Sequence, residues 1–489
     1  MALNLVRNSR VFFTTNVDAT TGVVKAASAT AFSSSNLFEI QVLDGFSFSQ
    51  NLNNETVTLS EAGSAPVRGQ RAFNTSLAPV DFSFSTYVRP RNQTTKITAE
   101  ESYLWNALLC DTAIGTPNSL GAVTGVTANA TGLVTIAGTA ITGTLPAVND
   151  YIVLSGVTST TPSGYDKYIN SVGQVVTSAT SGITVQLINF HTTAITATTL
   201  VTASTIKYSK AAWSESNASY SQVTTGLSDR NQLQKFGMLF LVDNVMYAVD
   251  NCALNEVTLD FGLDQIATLQ WTGQATALRQ FDTAVIATSS AFTGSGSGSS
   301  GVGTGGFAAK DTSANFITNK LSTVSLTAVK AIGTNISAGD SYAVPLTGGS
   351  ITISNNITYI TPTILGIINT PITYYTGTRA ISGTLNAYLR TGTSGETGEL
   401  LKDLLAETTN AAAIEPMFAL TVNVGGSANT VKVALEMPSV TIGVPTVDVQ
   451  QVVSTAISFN AQGSVLNATA ASSTYDLTKA GELLVRYHA

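Results

Sequence analysis

Charge is scarce in this chain. Of its 489 residues only 11% are Asp, Glu, Lys or Arg, against about 25% in ordinary soluble domains. The balance is acidic, with 23 Lys and Arg against 30 Asp and Glu and a formal net charge of −7. A protein that grips nucleic acid usually presents a basic face, whereas a weakly acidic surface lets a polyanion pass without sticking. Cysteine is almost absent. Cys110 and Cys252 are the whole supply, which excludes a disulfide framework and leaves open whether the two meet. Two buried thiols are the plain expectation for so apolar a side chain. Histidine is equally rare, with only His191 and His488. Neither belongs to a Cys/His cluster of zinc spacing or stands near a nucleophile motif. No apolar run reaches the roughly 18 residues of a spanning helix, so no membrane insertion is expected. The opening stretch MALNLVRNSRVFF has no long apolar segment followed by small residues, the mark of a secretory signal. Synthesis in the cytosol is the expectation.

Sequence motifs of catalysis are missing too. There is no G-x-S-x-G, H-E-x-x-H, P-loop or dinucleotide fingerprint. GSGSGSSGVGTGG, inside residues 289–306, has phosphate-loop-like glycine spacing but no Lys-Ser/Thr ending. Asp260-Phe261-Gly262 has no catalytic loop or lysine strand around it. Asp260 and Asp264 read as turn and strand-edge carboxylates. The most basic stretch, FSFSTYVRPRNQ with Arg89, Arg91 and Lys96, reads as a solvated strand edge or a contact with a neighbour. Basic residues on an edge also discourage wrong pairing. No catalytic, cofactor-binding or metal-binding residue is assigned. The expectation is a protein that is not an enzyme and needs no cofactor.

What the chain does have is Thr, Val, Ser, Ala and Gly, the composition of pleated, half-buried surfaces. The fold class expected is mainly β. It also repeats itself, the first thing to look for in a long chain. NNETVTL at 53–59 resembles NNITYIT at 355–361. FSTYVRP at 84–90 resembles LNAYLRT at 385–391, so that Tyr87 matches Tyr388 and Arg89 matches Arg390. Alternation puts each Tyr and its Arg on one strand face. EESYLWNALL at 100–109 resembles ETGELLKDLL at 396–405. Both read as a short helix with Leu104 and Leu108, or Leu400 and Leu404, on one stripe. Trp105 and Leu109, matched by Leu401 and Leu405, widen that stripe. Two closing strand pairs, around 246–275 and 431–463, each carry an acidic turn, Asp260 and Asp264 or Asp448. Their endings, Trp271-Thr-Gly-Gln-Ala and Phe459-Asn-Ala-Gln-Gly, align Trp271 with Phe459.

The first copy holds far more chain between its helix and its closing strands than the second. The extra material is a run of short Thr/Val strands with Gly, Asn-Asp and Pro-Ser-Gly turns, and reads as a small β-domain inserted at an exposed loop. The expected layout is an N-terminal arm at 1–36, a discontinuous first domain at 37–114 and 208–285, and the inserted domain at 115–207. A Gly/Ser-rich flexible linker follows at 286–314, then a second domain at 315–470 and a C-terminal tail at 471–489. Two similar domains in one chain suggest a pseudo-symmetric ring, each chain filling two equivalent positions.

ALNEVTLDFGLDQIATLQWTGQA, at 253–275, resembles the closing strands of phage major tail tube proteins. FEIQVLDGFSFSQNLNNETVTLSEAG together with PVRGQRAFNTSLAPVDFSFSTYVRP, at 38–63 and 66–90, resembles their opening strands. The resemblance covers about residues 37–111 and 229–275, and, through the repeat, 321–463 more weakly. It implies two tandem tail-tube-like β-sandwich or barrel domains, each with a flanking helix. It implies a structural virion protein of the tail, made in the host cytoplasm, whose neighbouring sheets join into a β-lined ring. Three chains would make a ring of pseudo-sixfold symmetry, and rings would stack into a hollow conduit through which genome DNA passes without specific binding. The implied partners are further copies of the chain, a tail terminator, a baseplate or tip, a tape-measure protein and, in a contractile tail, a sheath. The lumen is expected to be net acidic, and residues 1–36 and 60–79 are expected to reach the next ring. Other readings of such a chain are an inner-tube protein of a bacterial contractile or secretion machine and a β-rich surface binding module. The chain departs from the simple family pattern in its size, its insertion and the Phe459 of its second copy.

Overall fold

The computed structural model describes residues 10–25, 32, 36–43, 45–57, 71–92, 97–99, 101–109, 118–121, 123–128, 133–141, 145–148, 151–155, 157, 172–187, 198–200, 207–210, 233–242, 245–281, 316–328, 333–337, 340–392, 395–408, 418–425, 432–449, 452–462 and 483–488. Strands dominate, as the composition requires, and two helices are described, Ser102–Leu109 and Thr397–Glu407.

Strand pairing makes the repeat explicit. In the first repeat an outer sheet runs in the order Leu37–Ile40, Arg10–Thr14, Phe236–Val242, the first half of Val245–Gly262, and Ala277–Phe281. In the second repeat the order is Ser341–Ala343, Thr323–Ala328, Phe418–Val424, the first half of Lys432–Ile442, and Leu484–His488. The two orders correspond strand for strand. Both even carry a register shift at the same place, between Phe236 and Met238 and between Phe418 and Leu420. Long strands such as Val245–Gly262 leave the outer sheet halfway and continue into a second, inner sheet. Side chains of the two sheets meet in one hydrophobic core that spans both repeats.

Arg10–Thr14 lies inside this scheme, although the sequence places it in an arm. Val11, Phe12 and Phe13 are fully buried, with Phe236 stacked on Phe13 at 4.6 Å. The strand sits between two others, so its backbone groups are all claimed. Leu484–His488, read from sequence as tail, likewise completes the outer sheet of the second repeat. The chain from Asp18 to Val24 turns back and is fastened to a buried carboxylate. Asp250 Oδ1 accepts from Val24 N at 2.9 Å, and Arg279, ion-paired to Asp250 at 2.6 Å, donates to Val24 O.

The helices lie where the Leu stripe predicts. Leu104, Trp105 and Leu108 are buried, and Trp105 meets Trp271 edge to face at 5.2 Å. The indole N–H of Trp271 donates to Thr86 Oγ1 at 3.0 Å, which satisfies the one polar atom the ring carries into the core. In the second helix Leu400 is buried and Asp403 accepts from the Tyr342 hydroxyl at 3.0 Å. Burial and that carboxylate push the Tyr342 phenol up well beyond its usual range.

The inserted strands form a separate eight-stranded sheet, ordered 198–200, 123–128, 133–138, 182–187, 172–179, 151–155, 207–210, 118–119. It has its own core of Leu120, Val126, Val134, Ile136, Leu154 and Ile183 among others. Lys207–Lys210 pairs with Tyr151–Ser155, so the sheet runs to Lys210, three residues past the boundary read from sequence.

Candidate assembly surface: one sheet, two open edges

The inner sheets of the two repeats are one sheet. Its order is Ser47–Val57, Arg71–Tyr87, Thr268–Ala275, the second half of Val245–Gly262, Leu346–Ser354, Ala380–Tyr388, Val453–Gln462, and finally Thr446–Val449 with the end of Lys432–Ile442. Four strands come from each repeat. They meet at a seam where Glu256–Gly262 pairs antiparallel with Gly348–Ser354, Asp260 facing Ser350 and Thr258 facing Thr352.

The seam is reinforced at the top by a hairpin of the second repeat, Ile357–Ile360 with Thr373–Thr376. Asn355 is buried. Its side chain donates to Leu108 O at 2.8 Å, at the end of the first helix, and Arg379 donates to Leu109 O at 3.3 Å. Asn255 Oδ1 accepts from Ile357 N at 2.8 Å. The Tyr359 hydroxyl donates to Asn251 O at 2.7 Å, and burial raises this phenol far above its normal value.

One face of the inner sheet is core. Phe82, Phe84, Val257, Leu259, Leu269, Trp271, Ile351, Ile353, Ile381, Leu385, Ile457 and Phe459 are all buried there. The opposite face is polar, as a period of two demands. It presents Ser47, Ser49, Ser83, Ser85, Thr258, Gln270, Thr272, Thr352, Thr384, Asn386, Ser458, Asn460 and Gln462. Four carboxylates punctuate it, Asp81, Glu256, Asp260 and Asp448, and no Lys or Arg occurs in these strands from 47–50, 80–87, 256–262, 268–275, 346–354, 380–388, 446–449 and 453–462.

Cross-strand neighbours give the exact pairing of repeats. Tyr87 faces Thr268 as Tyr388 faces Ser454. Asp260 also faces Thr268 as Asp448 faces Ser454. Asp260 and Asp448 are therefore equivalent, and Trp271 corresponds to Ile457. Phe459, which the sequence aligns with Trp271, corresponds to Gly273. Both stand opposite the residue that precedes the bulge or turn, Leu254 or Ile442.

The remaining residues singled out from sequence are scattered. Arg89 is buried, donating to Gln41 Oε1 at 2.7 Å and lying over the Phe316 ring at 4.9 Å, neither a solvated edge nor a free contact. Asp264 is in the turn after the seam strand with φ of 62°, 3.8 Å from Lys320 Nζ. Cys252 is buried, and desolvation raises its thiol far above the usual value. Cys110, His191, Lys96, the linker and most of the loop at 60–79 lie outside the described residues, as does the side chain of Arg91. Among the described residues no three His, Cys, Asp or Glu side chains are placed to share a metal ion, and no helix is long and apolar enough to cross a membrane.

No protein-family model matches the chain. It is similar to the tail tube protein pb6 of Escherichia phage T5, 25% identical over 472 residues that cover 96% of this chain and 74% of that protein. That match runs through both repeats and the insertion alike, and with it the resemblance of the opening and closing strands extends over nearly the whole sequence. Over nearly its whole length the chain thus resembles a phage tail tube protein.

Proposed function

We propose that three copies of this chain close into a ring of pseudo-sixfold symmetry, that rings stack into the tail tube of the virion, and that genome DNA passes through the lumen without specific binding. The tube role itself is structural. The observation that carries the reading is the eight-stranded inner sheet, continuous across both repeats, with one face in the core and the other polar and, away from the Arg71 end of the first hairpin, free of cations. That polar face is assigned to the lumen. DNA affinity at phosphates comes from Lys and Arg, so a wall of hydroxyls and amides with scattered carboxylates offers a polyanion nothing to hold. Two core-bearing repeats give two tube domains, and the inserted sheet with its separate core sits on the exterior as a decoration. The ends of the tube meet a terminator and a baseplate or tip, and a tape-measure protein occupies the lumen before the genome does.

Negative-stain electron microscopy of the concentrated chain tests this. Hollow tubes of regular axial repeat with three knobs per ring, one for each inserted domain, are expected. Dispersed monomers at every concentration would speak against it.

A further inference from the structure

The hairpins of the two repeats contain the same dipeptide and part company there. In the first repeat Asn53–Asn54 produces only a register shift, and Ser47–Val57 stays paired with Arg71–Tyr87 on both sides of it. The matching Asn355–Asn356 bends the chain. Asn356 has a φ of 49°, a left-handed conformation that Asn adopts more readily than most residues. Its Nδ2 donates to Thr378 O at 2.7 Å. Gly377 N donates back to Asn355 O and Asn356 O, and a Cβ on Gly377 would come within 2.9 Å of Asn356. The ribbon of Ile357–Ile360 and Thr373–Thr376 is therefore a separate two-stranded sheet, laid across the first repeat. The Tyr359 hydroxyl lies 3.0 Å from Gln274 O, and the Tyr374 hydroxyl donates to Leu233 O at 3.1 Å.

The far end of this ribbon is fastened as well. Asn369 is 9% exposed in a loop whose Leu365 is 97% exposed. Its Oδ1 accepts from Ile364 N at 2.9 Å, which closes the loop on itself. Its backbone forms a parallel bridge with Ser76 in the hairpin of the first repeat. Leu77 N donates to Asn369 O at 2.8 Å, and Asn369 N to Thr75 O at 3.4 Å. On this edge of Arg71–Tyr87 the strand Thr268–Ala275 pairs only with Val80 and the residues after it. The loop of the second repeat takes up the edge beyond.

We infer that the second repeat's hairpin is a strap, hinged at Asn355–Asn356 and latched at Asn369, and that the latch makes the tips of both hairpins move as one body. The inference concerns a single chain and does not depend on the ring. A two-stranded ribbon standing beyond its sheet is marginal by itself, and here two such ribbons hold each other. The side chain of Asn369 shapes the loop, and the shaped loop presents its carbonyl to Leu77. Asn369 is thus a positioning residue, acting on the first repeat through its own main chain.

Hydrogen exchange on the full chain, read by mass spectrometry, tests the latch. Asn369→Ala removes the acceptor of Ile364 N. Exchange should rise about tenfold, the effect of losing one hydrogen bond of ordinary strength, both in the peptide containing Ile364 and in the peptide containing Leu77. The peptide containing Phe12, in the outer sheet, should be unchanged. Asn369→Asp keeps an acceptor and should exchange like the parent. A covalent latch supplies the rescue. Neighbouring strands lie about 4.7–4.9 Å apart, inside the disulfide range of about 4.4–6.8 Å between Cα atoms. The chain carrying Ser76→Cys and Asn369→Cys should exchange fast at Leu77 when reduced and regain protection when oxidised, while remaining a monomer on non-reducing gels. Faster exchange at Ile364 with none at Leu77 would show that Asn369 folds only its own loop and would overturn the latch. So would equal acceleration at Phe12, which is general loosening, and so would no change at either tip.

Discussion

The two repeats fill the same core site with an aromatic ring taken from opposite strands. In the first repeat Phe82 lies across from Gly273, and a Cβ at Gly273 would overlap the Phe82 ring and the Ala253 carbonyl. In the second repeat the equivalent pair is Gly383 and Phe459, and a Cβ at Gly383 would overlap the Phe459 ring and the Ser350 carbonyl. The volume at this point of the sheet is kept while its owner changes. Close-packed interiors constrain summed volume more tightly than the identity of any contributor. The repeats also differ in how they hold their outer layers. The first uses the Asp250–Arg279 pair to fasten Val24. The second uses Glu407, whose Oε1 accepts from the backbone of Thr334 and Asn335 and from the Asn335 amide.

The largest expected effect breaks the correspondence outright. Deleting residues 10–14 removes a strand with three fully buried side chains from the middle of the outer sheet, and no cooperative unfolding transition should remain. An intact transition would mean the strand is dispensable, as an arm would be. Next comes Trp271→Ala, which empties a buried indole site and should cost about 3–5 kcal/mol in chemical denaturation. Ile457→Ala at the equivalent place should cost less, about 2–3 kcal/mol. Equal losses would argue that the two positions are not packed alike. Asp250→Ala takes the acceptor from the buried Val24 N–H and the carboxylate from Arg279, and should cost about 2 kcal/mol, while Glu407→Gln, which keeps an acceptor, should cost less.

The exchange of ring and glycine can be engineered. Phe82→Gly opens a cavity and Gly273→Phe overfills the site, each destabilising alone. Combined, they copy the arrangement of the second repeat, and the pair should be better than the sum of the singles by about 2 kcal/mol. Additive losses would show that the surrounding core distinguishes the two strands. The smallest effect is Leu405→Ala, expected to change the stability of the unassembled chain by less than about 0.5 kcal/mol. Its equivalent Leu109→Ala, which is buried, should cost about 2–3 kcal/mol.

Much of this was legible in the sequence, because each repeat carries its own punctuation. The helix stripes of Leu104 and Leu108 and of Leu400 and Leu404, and the Tyr87–Tyr388 match, follow from local pattern. The Trp271–Phe459 alignment did not survive. A slip of two residues keeps every side chain on its own face, so alternation cannot detect it, and the ring had crossed to a neighbouring strand. Arg10–Thr14 was missed for a different reason. Five residues carry too little periodicity to announce a strand, and one of the two strands that hold this one lies more than two hundred residues away. Leu484–His488 is equally short and equally dependent on its neighbour. The seam itself was invisible, since the alternation of Glu256–Gly262 and of Gly348–Ser354 shows that each is a strand but not that the two pair.

The polar face has a consequence for motion. Polyanions carry a layer of condensed counterions, and a protein that neutralises phosphates sets those ions free, which is why such binding falls steeply with salt. A wall of Ser, Thr, Asn and Gln with no ammonium or guanidinium group displaces none of them. In the proposed tube, DNA passing along such a wall would keep its ionic atmosphere intact, and its speed would then be governed by hydrodynamic drag and the driving pressure, with little dependence on ionic strength at the wall.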